Sequence, residues 1–139
     1  MITATRYHDI SCGHRVSGHE SKCAHLHGHN YRFHFTCTSR SLDGIGRVID
    51  FSVMKLRLCQ WLEENFDHKF IVWDGDPLAN ALEALDPQGV VRVDFNPTAE
   101  NLAKWAVEVL GPLQLEGTGV RLVECKVEET AKCSASAYL

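Results

Sequence analysis

The sequence predicts an α+β domain, an antiparallel sheet carrying helices on one face. Three observations point there. The strand and helix patterns follow the order β-β-α-α-β-β, so strands cluster instead of alternating with helices. A strict period-two alternation runs from Asn30 to Thr38. Two later stretches repeat their apolar residues at helical spacing. The 139 residues suit one domain from end to end (1–139), with no internal repeat, linker or low-complexity segment to divide it.

The elements follow in order. The first ten or so residues are polar and β-branched, a strand closing near Cys12, and a loop rich in Gly, His and Ser continues through His29. Then Tyr31, Phe33, Phe35 and Cys37 occupy one face of a half-buried strand, with Arg32, His34, Thr36 and Thr38 on the other. A turn at Asp43-Gly44-Ile45-Gly46 leads to Asp50, an N-cap residue. Phe51, Met54, Leu58, Trp61 and Leu62 form the stripe of a helix reaching about Asn65. Phe70–Trp73 reads as a short strand, Leu78–Leu85 as a short helix, and Val90–Phe95 as strand or loop. A second long helix begins after Asn96-Pro97-Thr98, carries Leu102, Trp105, Ala106, Val109, Leu110 and Leu113 on one face, and ends at Gly111-Pro112. Val120–Val127 and Ser134–Tyr138 close the fold as strands.

Composition removes several function classes. An apolar share of 45% with 23% charged residues is globular, not disordered. Fourteen basic against eighteen acidic residues, net −4, argue against a general nucleic-acid or membrane-surface binder. The longest apolar run is Phe70-Ile71-Val72-Trp73, too short to span a bilayer. No basic segment followed by an apolar stretch opens the chain, so the expected location is cytoplasmic. The six cysteines are then expected as thiols, and no C-x-x-C pair suggests a thiolate zinc knuckle.

Histidine is the anomaly, with seven of eight residues in the first thirty-four. In His27-Gly28-His29, residues i and i+2 at a strand mouth aim two imidazoles at one point, and Gly28 lets the backbone approach a ligand closely. If the first two strands are antiparallel neighbours, His14 lies opposite the pair, and His19 or His25 are the alternatives for a third ligand. Three imidazoles with an open fourth position is the catalytic zinc pattern. Cys23, four residues before His27, suits a nucleophile or proton-transfer thiol, a fourth metal ligand, or a bystander. Asp67-His68 is either a carboxylate–imidazole relay or a helix-end cap. Glu129 ends the Val120 strand and is unremarkable alone. Arg15, Lys22 and Lys69 neighbour these motifs and read first as solvated charge.

Gly13-His14-Arg15, Cys23-x-x-x-His27-Gly28-His29, Val48-Ile49-Asp50-Phe51, Asp67-His68, Asn96-Pro97-Thr98-Ala99-Glu100-Asn101 and Val127-Glu128-Glu129-Thr130 together resemble the 6-pyruvoyl-tetrahydropterin synthase superfamily. The closest likeness is to its bacterial 6-carboxytetrahydropterin synthase branch in 7-deazaguanine and queuosine biosynthesis. The resemblance implies a T-fold, with two helices on one face of a four-stranded antiparallel sheet and a barrel completed by oligomerisation to a homohexamer. It implies zinc on His14, His27 and His29, and Cys23 as the proton-transfer thiol. Asp67 and His68 form its relay across a subunit boundary, while Glu129, Thr98 and Ala99 contact the pterin. The implied reaction is a zinc-dependent lyase step from 7,8-dihydroneopterin triphosphate to 6-carboxytetrahydropterin, acetaldehyde and triphosphate. A pyruvoyl-type synthase and a non-catalytic zinc or pterin-binding module are the alternatives. Cys12, near the presumed metal, His25, and the longer 74–94 segment depart from the family pattern.

Overall fold

A computed structural model describes residues 1–139. Its sheet has six strands in the order β4-β3-β1-β2-β5-β6. These are β1 (Thr3–His14), β2 (His27–Ser39), β3 (Phe70–Trp73), β4 (Val90–Val93), β5 (Val120–Thr130) and β6 (Cys133–Tyr138). Helix α1 covers residues 51–65, α2 is Ala79–Leu85, and α3 covers residues 99–114.

The α+β class holds, but the sheet is mixed and larger than the four antiparallel strands the family likeness implied. β1, β2, β5 and β6 form the antiparallel part, while β3 and β4 add to the free edge of β1 in parallel. The Phe70–Trp73 run explains the difference. Adjacent Ile71 and Val72 are both buried, so this strand is covered on both faces, the setting in which parallel strands occur.

Local signals set the helices. The Asp50 carboxylate accepts from Ser52 N–H to cap α1, and Thr98 accepts from Asn101 N–H to cap α3. α3 does not stop at Gly111-Pro112 as its sequence suggests. A wide π-type turn over Ala106–Leu110 precedes Pro112, so the missing N–H and the ring fit and the helix runs to Gln114. Gly111 is needed there because a Cβ would stand 2.7 Å from the Cβ of Leu122.

Tyr31, Phe33, Phe35 and Cys37 of β2 are fully buried against Met54, Leu58 and Leu62 of α1 and Leu102, Ala106 and Leu110 of α3. Each large side chain contributes about 1.5–3 kcal/mol by leaving water. The β1–β2 register pairs Ile10 with Tyr31, Cys12 with His29 and His14 with His27. Paired residues share a face, so the apolar stripe of β2 passes directly into imidazoles at its first residues.

Candidate metal centre and active site

The ligand nitrogens of His14, His27 and His29 all lie within 4.8 Å of one another. β1 runs two residues beyond Cys12, and this extension is what places His14 directly across the ladder from His27. His19 and His25 stay outside the group. His19 Nδ1 accepts from Ser21 N–H, and His25 contributes only its carbonyl.

Backbone carbonyls fix two of the rings. His14 Nδ1 donates to the Pro97 carbonyl at 2.6 Å, and His27 Nδ1 donates to the His25 carbonyl at 2.8 Å. Both Nε2 atoms are then bare lone pairs, yet they face each other at 3.0 Å. Two unprotonated nitrogens so close repel unless a cation lies between them. His29 Nε2, buried and without any hydrogen-bond partner, points to the same requirement. Carbonyl-oriented neutral imidazoles are the usual metal-binding arrangement. This three-histidine group has the chemistry and spacing to hold a metal ion.

The surroundings of His14 and His29 favour their neutral forms. Burial, opposed by the Pro97 hydrogen bond and reinforced by the two other imidazoles, takes His14 down to about 4. Burial also lowers His29, against the opposing field of Glu129. The Glu129 carboxylate stands 4.0 Å from His14 Nε2 and 3.9 Å from His29 Nε2, so it flanks the position a metal would take. It reaches there because β5 continues to Thr130, with Val127 and Glu129 on the core face.

Gly28 also has a structural purpose. The group pressing on it is the Cys12 carbonyl, 3.1 Å from where a Cβ would sit, so glycine permits close strand approach, and its backbone lines the same cavity as His29. Cys12 lies beside His29 in the ladder, but burial and the nearby Asp67 push its thiol up to about 12. It is a protonated, inert neighbour.

Cys23 sits half-buried on a 3-10 turn, Lys22–Ala24, and its sulfur is not part of the mutually close ligand group. Asp67 and His68 stand elsewhere, beside β1. Asp67 Oδ1 accepts from Ser11 N–H at 2.9 Å, and Oδ2 accepts from His68 Nδ1 at 2.9 Å. Burial works to raise the Asp67 carboxyl, but these two hydrogen bonds outweigh it and hold the group below its ordinary range. His68 adopts φ 60° and donates its backbone N–H to the Ser11 carbonyl, an arrangement no sequence pattern announces. Its ring is exposed and bonds to Asp67, not to Cys23 of the same chain. His29 and His68 both line one open cavity of about 530 Å³.

Thr98 caps α3 through its Oγ1, and Ala99 is buried in its first turn, immediately after the Pro97 carbonyl that holds His14. Sequence reasoning missed Pro97 as a site residue, since a backbone acceptor leaves no side-chain signal. It also missed Asp76, a buried carboxylate bound to Arg15. Neither Arg15 nor Lys69 is free solvated charge, because Lys69 Nζ donates to the Gln88 carbonyl.

Residues 3–138 match the family described as 6-pyruvoyl tetrahydropterin synthase, and the chain belongs to that enzyme family. It is 36% identical over 134 residues to 6-carboxy-5,6,7,8-tetrahydropterin synthase of Rickettsia bellii, an alignment covering 96% of this chain and 97% of the relative. An uncharacterised protein of Wolinella succinogenes shares the fold at a TM-score of 0.85 and 26% identity, covering 99% of this chain and 97% of that one. The 6-pyruvoyl tetrahydropterin synthase of Caenorhabditis elegans shares it at 0.71 and 23% identity, with 99% and 95% covered. No helix is long and apolar enough to cross a membrane.

Proposed function

We propose that this chain is a zinc-dependent 6-carboxytetrahydropterin synthase. It converts 7,8-dihydroneopterin triphosphate and one water to 6-carboxytetrahydropterin, acetaldehyde and triphosphate. The observation that carries the reading is the convergence of His14, His27 and His29, two of them oriented by carbonyls and the third without a partner. Near-full-length identity to relatives bearing that enzyme name supports the substrate class.

His14, His27 and His29 would hold the zinc, which would supply Lewis-acid polarisation of the pterin side chain. The Cys23 thiolate removes and returns the adjacent proton at its Sγ. His68 accepts that proton at Nε2, because Asp67 Oδ2 keeps the proton of its ring on Nδ1. Glu129 accepts two N–H groups from the guanidine-like edge of the pterin, a bidentate contact suited to a carboxylate. Thr98 Oγ1 already accepts from Asn101 N–H and keeps its own hydroxyl proton to donate, and Ala99 offers backbone. His68 is exposed and unconnected to its own Cys23, which favours a relay completed by a second copy in a homohexamer of single-domain T-fold protomers. Cytoplasmic queuosine biosynthesis is the corresponding setting.

The test is a product assay with 7,8-dihydroneopterin triphosphate, run with and without a chelator. Equimolar acetaldehyde and 6-carboxytetrahydropterin, lost on chelation, are the expected result. A pyruvoyl pterin without acetaldehyde would replace the product assignment. No turnover with intact pterin binding would make the chain a binding module.

A further inference from the structure

Arg15 and the longer segment after β3 are two features the proposed chemistry leaves unused, and they meet. Arg15 Nε donates to Asp76 Oδ2 at 2.6 Å, while its Nη1 donates to the Ala24 carbonyl at 2.9 Å. The Asp76 side chain is 1% exposed, and its other oxygen accepts from Leu78 N–H at 2.8 Å. One guanidinium therefore bridges the segment between β3 and α2 to the residue that follows Cys23. A second hydrogen bond approaches the same turn, from Val16 N–H to the Cys23 carbonyl at 2.9 Å. The far side of this loop is tied as well, since Asn96 exchanges hydrogen bonds with both Ser17 N–H and the Ser17 carbonyl.

We propose that Asp76, acting through Arg15, is a positioning residue for the loop that carries Cys23. The 3-10 turn Lys22–Ala24 contains no buried residue and no side-chain cap, so packing does little to hold it. Beyond the turn's own short-range bonds, it is tied to the end of β1 by the Arg15 side chain and the Val16 amide. Arg15 can hold the Ala24 carbonyl with one arm because Asp76 fixes the other, and the buried carboxylate keeps the guanidinium from turning to water. Asp76 itself is held from behind by the Leu78 amide. The longer segment between β3 and β4 thus delivers a rigid strut to the loop. The proposal rests on the reading of Cys23 as the proton-transfer thiol only for its effect on turnover. The mechanical link stands apart from that reading.

The experiment uses the zinc-loaded full-length chain and two variants, Asp76→Asn and Arg15→Lys. Lysine keeps the charge pair with Asp76 but lacks the second arm for the Ala24 carbonyl. Two readouts report the loop without reference to activity: tryptic cleavage after the exposed Lys22, and iodoacetamide labelling of Cys23 followed by peptide mass spectrometry. In Asp76→Asn both rates rise about fivefold or more, as a locally opened segment demands. Turnover falls through kcat by ~10-fold with KM little changed, the signature of a misplaced group. Arg15→Lys gives intermediate values in the same direction. Unchanged cleavage and labelling in Asp76→Asn overturn the proposal. If that variant does not fold, unchanged rates in Arg15→Lys do the same. A loosened loop with undiminished kcat upholds the strut and removes Cys23 from the chemistry.

Discussion

His14 is 1% exposed and held by the Pro97 carbonyl and by strand register, whereas His68 is 82% exposed on a positive-φ turn with only Asp67 behind it. The three imidazoles of the metal group complete their arrangement within one chain. The Asp67–His68 pair is oriented just as firmly at its carboxylate, yet its ring faces open space. The contrast separates what a single sheet completes by itself from what the proposed relay would draw from a second copy. An electrophile must be fixed before substrate arrives, and antiparallel register does that at no cost in mobile parts. A proton relay tolerates assembly from separate pieces, provided its last link is positioned when the substrate is bound.

The largest expected effect comes from breaking the first region. His27→Ala should abolish stoichiometric metal binding, read by elemental analysis. Turnover should fall ~10³-fold or more, the scale of several kcal/mol of lost charge stabilisation. Cys23→Ala should cost ~10²–10³-fold in kcat and leave the metal content at wild-type level, since the sulfur is outside the ligand group. His68→Ala sharpens the comparison. It should lower kcat by about 10²-fold with metal content unchanged and melting temperature little changed, because the exposed ring bonds in its own chain only to Asp67.

Smaller effects concern the stability of the metal-free protein. His14 titrates near 4 when folded and near 6.5 when free. The unfolded chain therefore binds the extra proton first as pH falls. The stabilisation is whole above pH 6.5 and lost progressively toward pH 4, a loss of about 3 kcal/mol. Urea titrations of the apo-protein over this range should show it, and His14→Gln should flatten the curve. Gly28→Ala should destabilise by about 1–3 kcal/mol through crowding of the Cys12 carbonyl, measurable by the same titrations.

Much of the first region was legible in the sequence. The H-x-H spacing at a strand mouth gives two imidazoles on one face by geometry, and antiparallel pairing of the first two strands makes His14 their neighbour. The cap at Asp50 was equally plain, because it satisfies a helix N-terminus with a side chain of the right type. What stayed hidden involves partners that leave no local pattern. The Arg15–Asp76 pair joins residues 61 positions apart, and the His14 orienter is a backbone carbonyl 83 positions away. The parallel β3–β4 extension was visible only as a short apolar run, whose neighbours depend on how the chain returns after α1. Pro112 inside a helix misled for a similar reason, since the π-type turn that accommodates it is a tertiary accommodation and not a propensity.

His14, His27 and His29 alone are expected to supply the protein ligands of the metal and to leave a further coordination position open. X-ray absorption at the zinc edge, on the zinc-loaded protein without substrate, measures that first shell directly. The expected spectrum shows three imidazole nitrogens with the remaining position taken by oxygen and no sulfur. A zinc–sulfur distance in the spectrum, or fewer than three imidazoles, would contradict it.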